Sequence, residues 1–157
     1  MMTPEGLGLK AERLLKVLQV ITLALLAAVF LYPLLVAGML AEGRFAVAGV
    51  SSYIIHLGTL FSLTFLFFAW RGYRIIIEKA LSSFSKHGNL ETFLNNWFIA
   101  TFFAQILREI PAILGIVLSL ASGKIIFCVA LGLISFIAIG KAWPKPEDLA
   151  KVLPKGT

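Results

Sequence analysis

The sequence predicts an all-α integral membrane protein, folded as a four-helix bundle with both termini on the cytoplasmic side. Of its 157 residues, 59% are hydrophobic and 14% are charged, whereas soluble domains contain about 45–50% apolar and about 25% charged residues. Four long stretches lack charged residues, apart from one pair in the third. Most basic residues lie near the two termini and in the connection between the second and third stretches. This composition excludes an ordinary soluble enzyme, a disordered chain and a nucleic-acid-binding module.

The four stretches predict four transmembrane helices in a single domain, residues 1–157. A helix needs about 20 apolar residues to cross roughly 30 Å of hydrocarbon, and such runs close their backbone hydrogen bonds internally. The third run is long enough only if it includes Arg108 and Glu109. The first run exceeds the core of a signal peptide, about 7–15 residues, so we expect it to be retained. The predicted spans cover about residues 15–41, 47–72, 94–121 and 125–143.

The connection between spans two and three, about residues 73–92, is the one substantial extramembrane segment predicted. Isoleucines at 75–77, followed by Ala80, Leu81 and Phe84, give it an apolar stripe. This stripe indicates that span two continues as a helix lying on lipid headgroups, and a docking surface for a soluble partner is the alternative. The residues His87-Gly88-Asn89 predict a turn, because Gly and Asn tolerate left-handed backbone.

The basic residues predict the orientation. Eleven of the 14 lysines and arginines flank the two termini and the middle connection, whereas the two other loops carry one each, Arg44 and Lys124. Segments rich in Lys and Arg stay in the cytoplasm, and Trp settles at membrane boundaries. Trp70, Trp97 and Trp143 all fall at the inner boundary. The sequence therefore predicts a multi-pass protein of the cell membrane with both termini in the cytoplasm.

Arg108 and Glu109, near the midpoint of span three, are the main candidates for an ion- or ligand-binding site. An isolated charge at that depth costs about 2.5–3.5 kcal/mol, so we expect both side chains to face a protein interior or a wet cavity. Adjacent helix positions do not face each other, so each needs its own partner. Gln105 is within helical reach of either. His56 in span two is a secondary candidate for a proton relay, with an interior hydrogen-bonded role as the alternative.

Small and polar residues recur at steps of three and four along span three. Small residues at similar spacing also occur in spans two and four. In lipid, small residues let helices approach closely and polar residues bond across the contact. The two histidines are expected at opposite depths and acidic residues are sparse, so no metal site and no cofactor is expected. The expected packing positions are Ala112, Gly115, Ser119, Gly58, Ser62 and Gly132.

Residues 109–118 resemble the carboxylate-bearing helix of rotary ATPase proteolipid (c-type) subunits. The likeness rests on a mid-membrane carboxylate, Glu109, followed by Ala112, Ile113 and Gly115. The length and the four spans are similar to those of a duplicated proteolipid. The resemblance implies that Glu109 binds a transported proton or sodium ion. It covers ten residues and does not include the glycine-rich inner helix or the polar loop of that family.

These features are compatible with three functions. The first is a non-enzymatic subunit or assembly factor of a membrane complex, whose partners are the lipid bilayer and other membrane subunits or further copies of itself. The second is ion transport by a proton- or ion-conducting, proteolipid-like protein that uses Glu109. The third is a quinone- or lipid-binding membrane component that uses Arg108 and Glu109. The extramembrane segments are too small for a catalytic domain, which favours the first function and argues against an enzyme.

Overall fold

A computed structural model of the chain is all-helical and describes residues 4–43, 51–87 and 89–147. Within these ranges 92% of the residues are helical and no strand is present. The predicted all-α, four-helix fold is confirmed. The four helices of the described chain are α1 Pro4–Ala41, α2 Ser52–His87, α3 Leu90–Ser122 and α4 Ile126–Lys141.

The first three helices extend beyond the predicted spans at one end, here called the N-terminal end of the bundle, where α1 and α3 begin and α2 and α4 end. The predicted continuation of span two as a helix is confirmed, since α2 runs to His87. Its apolar stripe was predicted to lie on lipid headgroups, but Ile77 is instead buried against α1 and α3. Asn89 then caps α3, because its side chain accepts a hydrogen bond from the Thr92 amide at 3.1 Å. Gly88, in the predicted turn, lies outside the described residues.

The centre of the bundle is α3. It packs against α2, α4 and α1, whereas α2 and α4 make little contact with each other. One buried cluster lies at the N-terminal end and joins α1, α2 and α3 through Leu18, Ile77 and Trp97. A second cluster joins α1, α3 and α4 through Val29, Ala112 and Ile139. The polar side chains of α3 are therefore positioned by three different neighbours.

The fourth helix is much shorter than the others. With a rise of 1.5 Å per residue, the 16 residues of α4 span about 24 Å, and the 33 residues of α3 span about 50 Å. The other three helices are long and apolar enough to cross a membrane, and α4 falls below that length. Consequently α4 ends part-way along α3, and within the described residues α4 does not fill the space beside α3 beyond this point.

Large apolar side chains cover the outside of all four helices. Phe30 of α1 is 69% exposed, and Leu60 of α2, Phe103 of α3 and Leu133 of α4 are exposed to more than half. Soluble monomers rarely expose contiguous apolar patches larger than a few hundred Å². This outer surface is typical of helices in contact with lipid.

Candidate polar site at the end of α4

The close packing of α3 against α4 fixes the positions of the polar residues of span three. At Gly115 an added Cβ would lie 2.9 Å from the carbonyl oxygen of Phe127 and 3.1 Å from the Cα of Cys128. Both are backbone atoms, so only a hydrogen at this position lets the helices approach this closely. The other two packing glycines are less constrained. Gly58 faces the flexible side chain of Leu118 at 3.0 Å, and Gly132 has its nearest atom at 3.9 Å.

Two serine hydroxyls connect the backbones of α3 and α4. Ser119 Oγ accepts a hydrogen bond from the Cys128 amide at 2.7 Å. Cys128 lies in the first turn of α4, where amides lack helical partners, and Ile125 provides no side-chain cap. Ser135 Oγ accepts a hydrogen bond from the Ala112 amide at 3.0 Å, next to Pro111, whose ring interrupts the helical hydrogen bonding of α3. Each serine therefore accepts a hydrogen bond from an amide of the other helix, at a point where the regular backbone hydrogen bonding of that other helix is interrupted.

Glu109 is bound by α1. The hydroxyl of Tyr32 donates a hydrogen bond to Glu109 Oε1 at 2.5 Å, and both side chains are partly buried. Tyr32 is not among the residues predicted for this site from the sequence. The sequence feature that could have indicated Tyr32 is its hydroxyl group within the uncharged part of span one.

Arg108 points away from Glu109, as expected of adjacent helix positions, and lies in the space beyond the end of α4. It lines a cavity of about 370 Å³ between α2, α3 and the residues that follow α4. We call this the α4 cavity. The sequence placed Arg108 near mid-span, but it shares this cavity with Lys141, the last residue of α4. The cavity is lined by Tyr73, Trp97, Thr101, Arg108, Lys141, Ala142, Trp143, Pro144, Lys145 and Glu147.

Gln105 does not bind either charged residue, although the sequence placed it within reach of both. Its Nε2 donates to the carbonyl oxygen of Ala142 at 2.9 Å and, at 3.4 Å, to the hydroxyl of Thr22. Gln19 of α1, which was not predicted from the sequence, donates in the same way to the carbonyl of Pro144 at 3.1 Å. The two glutamines fix the segment after α4 against α1 and α3, part-way along the bundle.

The remaining candidates lie apart from this site. His56 is exposed on the second turn of α2, so the prediction of an interior, hydrogen-bonded histidine is wrong. Trp97 and Trp143 both line the α4 cavity, but Trp97 is only 1% exposed and belongs to the bundle interior. The residues expected at packing positions lie inside the bundle: Ala112, Gly115, Ser119, Ser62 and Gly132 are buried, and Gly58 is partly buried.

No known protein family, no curated protein and no solved structure matches this chain. The resemblance to proteolipid subunits therefore rests on residues 109–118 alone.

Proposed function

We propose that this chain is a non-enzymatic, multi-pass subunit or assembly factor of a complex in the cell membrane, with both termini in the cytoplasm. The observation that supports this proposal is the incomplete packing of α2. In its most apolar stretch only 11% of the residues are buried, against 44% in α3. The helix is attached mainly to α3 and has little contact with α4.

The exposed side of α2 carries large aromatic rings. Phe61, Phe67, Phe68 and Trp70 are each more than half exposed, and Phe67 contacts the rings of both Phe68 and Trp70. Aromatic residues are enriched in protein interfaces, since they bury a large area and form directional ring contacts. We therefore propose a transmembrane helix of another subunit, or α2 of a second copy, as the occupant of this face.

Site-specific photo-crosslinking in intact membranes tests this proposal. A photoreactive amino acid at Phe61 is expected to give a discrete protein adduct, either a homodimer or a product of one defined mass. The matched control is the same group at Phe103, which is 55% exposed on α3 and outside the proposed interface. Lipid adducts alone from both positions, together with a monomeric protein in mild detergent, would contradict the proposal.

A second function, ion conduction, is favoured by the surroundings of Glu109. Its carboxyl group lies within the apolar part of α3, and Tyr32 supplies a neutral hydroxyl rather than a cation. A carboxylate at such a position is costly when charged, which favours exchange of a proton. In the family that residues 109–118 resemble, the corresponding carboxylate binds the transported ion.

Flux measurements on reconstituted liposomes separate the two functions. If Glu109 conducts, Glu109→Gln abolishes proton or sodium flux, and the carboxyl group reacts with a carbodiimide. The matched control is Glu91→Gln, which removes a carboxylate at the N-terminal end of α3. Equal flux in Glu109→Gln and the unaltered chain would dismiss ion conduction through Glu109.

A further inference from the structure

We propose that the α4 cavity binds the phosphate group of an anionic lipid headgroup. The cavity exists because α4 ends beside Arg108 while α2 and α3 continue. Its volume, about 370 Å³, lies within the range of small-molecule sites, about 300–1,000 Å³. This inference requires insertion in a membrane, but it does not depend on the proposed role as a subunit.

The charge of the cavity wall favours an anion. Arg108, Lys141 and Lys145 contribute three cationic groups, and Glu147 contributes one carboxylate. Among the residues that the structure describes, no hydrogen bond or ion pair joins Arg108 to another side chain. Glu109, the adjacent carboxylate, is bound by Tyr32 on a different side of α3. Arg108 interacts electrostatically with Tyr73 but has no carboxylate partner among the described residues. A partly buried guanidinium without a carboxylate partner is costly, and its planar fork matches the oxygens of a phosphate.

The backbone carbonyls at the end of α4 and just after it already accept other hydrogen bonds. At the end of α4, the carbonyls of Ile139 and Gly140 accept from the amides of Ala142 and Trp143. The carbonyl of Ala142 accepts from Gln105, and that of Pro144 accepts from Gln19. Gln105 Oε1 also has no hydrogen-bond partner within the described residues, so it does not bind the guanidinium, and we assign an external acceptor to Arg108.

Trp97 is the most deeply buried residue to consider in the cavity lining. Its indole Nε1 is buried and has no hydrogen-bond partner within the described part of the chain, and the residue is 1% exposed. Buried indole N–H groups normally find a partner. Because this nitrogen is buried inside the bundle, the phosphate contact is assigned to the cationic side chains of the wall and not to Trp97.

The surroundings favour a lipid as the source of the phosphate. The helices α2 and α4 flank the cavity, make little contact with each other and expose apolar side chains such as Phe67 and Ile137, which suit acyl chains. Basic pockets between transmembrane helices bind acidic headgroups. A zwitterionic headgroup also carries an ammonium group, which the three cations of the wall repel.

Lipid titration of the purified full chain in neutral detergent, followed by native mass spectrometry, tests the inference. We expect phosphatidylglycerol to bind more tightly than phosphatidylcholine. Arg108→Gln removes a charge-assisted contact and is expected to weaken phosphatidylglycerol binding by about tenfold or more. Lys141→Gln changes an exposed side chain that folding does not require, and it should weaken binding in the same direction. Lys124→Gln, which removes one charge at the opposite end of α4, is the matched control and should bind like the unaltered chain.

Competition by inorganic phosphate identifies the source of the ligand. Displacement of phosphatidylglycerol only at a large excess of phosphate supports a lipid site. Inorganic phosphate binding as tightly as phosphatidylglycerol, with the same loss in Arg108→Gln, supports a phosphate site but overturns its assignment to lipid. Equal binding of the two lipids, or unchanged phosphatidylglycerol binding in both Arg108→Gln and Lys141→Gln, overturns the proposal.

Discussion

Gly115→Ala is the substitution that most directly tests the close contact of α3 and α4. The added Cβ would meet the Phe127 carbonyl oxygen at 2.9 Å and Cys128 Cα and Leu131 Cβ at 3.1 Å each, whereas carbon contacts are optimal at about 3.5–4.0 Å. Two of these atoms are backbone, so α4 must shift, which also strains the hydrogen bond from Cys128 to Ser119. Overpacking lowers the free energy of unfolding by about 1–3 kcal/mol. The higher helix propensity of Ala relative to Gly raises it by up to about 1 kcal/mol. We expect a net loss of about 1–2 kcal/mol in the free energy of unfolding.

The assay is reversible unfolding of the full chain in mixed micelles by titration with a denaturing detergent, followed by tryptophan fluorescence. Gly132→Ala is the matched control, because its Cβ would meet Val29 Cγ1 at an ordinary 3.9 Å. This variant should be as stable as the unaltered chain or up to about 1 kcal/mol more stable. The reasoning is refuted if Gly115→Ala matches the unaltered chain, or if Gly132→Ala loses as much stability as Gly115→Ala.

Three further expectations concern single hydrogen bonds. Ser119→Ala leaves the Cys128 amide uncapped and should lower the free energy of unfolding by about 0.5–2 kcal/mol in the same titration; a loss no larger than that of Ser85→Ala, an exposed serine, would contradict the capping role. Tyr32→Phe removes the donor to Glu109 and should lower the free energy of unfolding by about 1–3 kcal/mol. The same substitution should cause a smaller loss in a chain that already carries Glu109→Gln. An equal loss in the two backgrounds would show that the hydrogen bond does not contribute to stability. The hydrogen bond and charge of Lys10 lower the pKa of the Glu91 carboxyl, which precedes the apolar part of α3. This contact therefore stabilises the fold above the ordinary carboxyl pKa, and the stabilisation disappears as the pH falls through the lowered pKa. Lys10→Gln should raise the pKa of Glu91 in an NMR titration, and an unchanged pKa would contradict the contact.

The number and approximate positions of the helices follow from the sequence, because charge-free runs of this length have few alternatives in lipid. The extensions at the N-terminal end are harder to predict. Charged residues such as Arg13 and Arg74 end the apolar runs and suggest a membrane boundary. The helices nevertheless continue, because Ala11 and Leu14 of α1 and Ile77 of α2 belong to, or pack against, one buried cluster with α3. Local periodicity shows such a stripe but does not show whether it meets lipid or another helix.

Only part of the candidate site can be predicted from the sequence. Arg108 and Glu109 stand out as charges within an apolar run, but their surroundings depend on how each neighbour is rotated about its axis. Tyr32 is 77 positions from Glu109, and Gln19 is 125 positions from Pro144. Span one is apolar on all sides, so its pattern does not indicate which face meets α3. The α4 cavity depends on the early end of α4, which only the three-dimensional packing makes visible.

The proposed multi-pass architecture requires all four helices, including the short α4, to cross the membrane. Single cysteines can be introduced as Lys86→Cys, Lys124→Cys and Lys145→Cys in a chain carrying Cys128→Ala, since Cys128 is the single native cysteine. Labelling with a membrane-impermeant maleimide then reports the side of each position. We expect only Lys124→Cys to react in intact cells, and the other two to react after permeabilisation. Reaction of Lys124→Cys and Lys145→Cys from the same side would show that α4 does not cross and would contradict the four-span architecture.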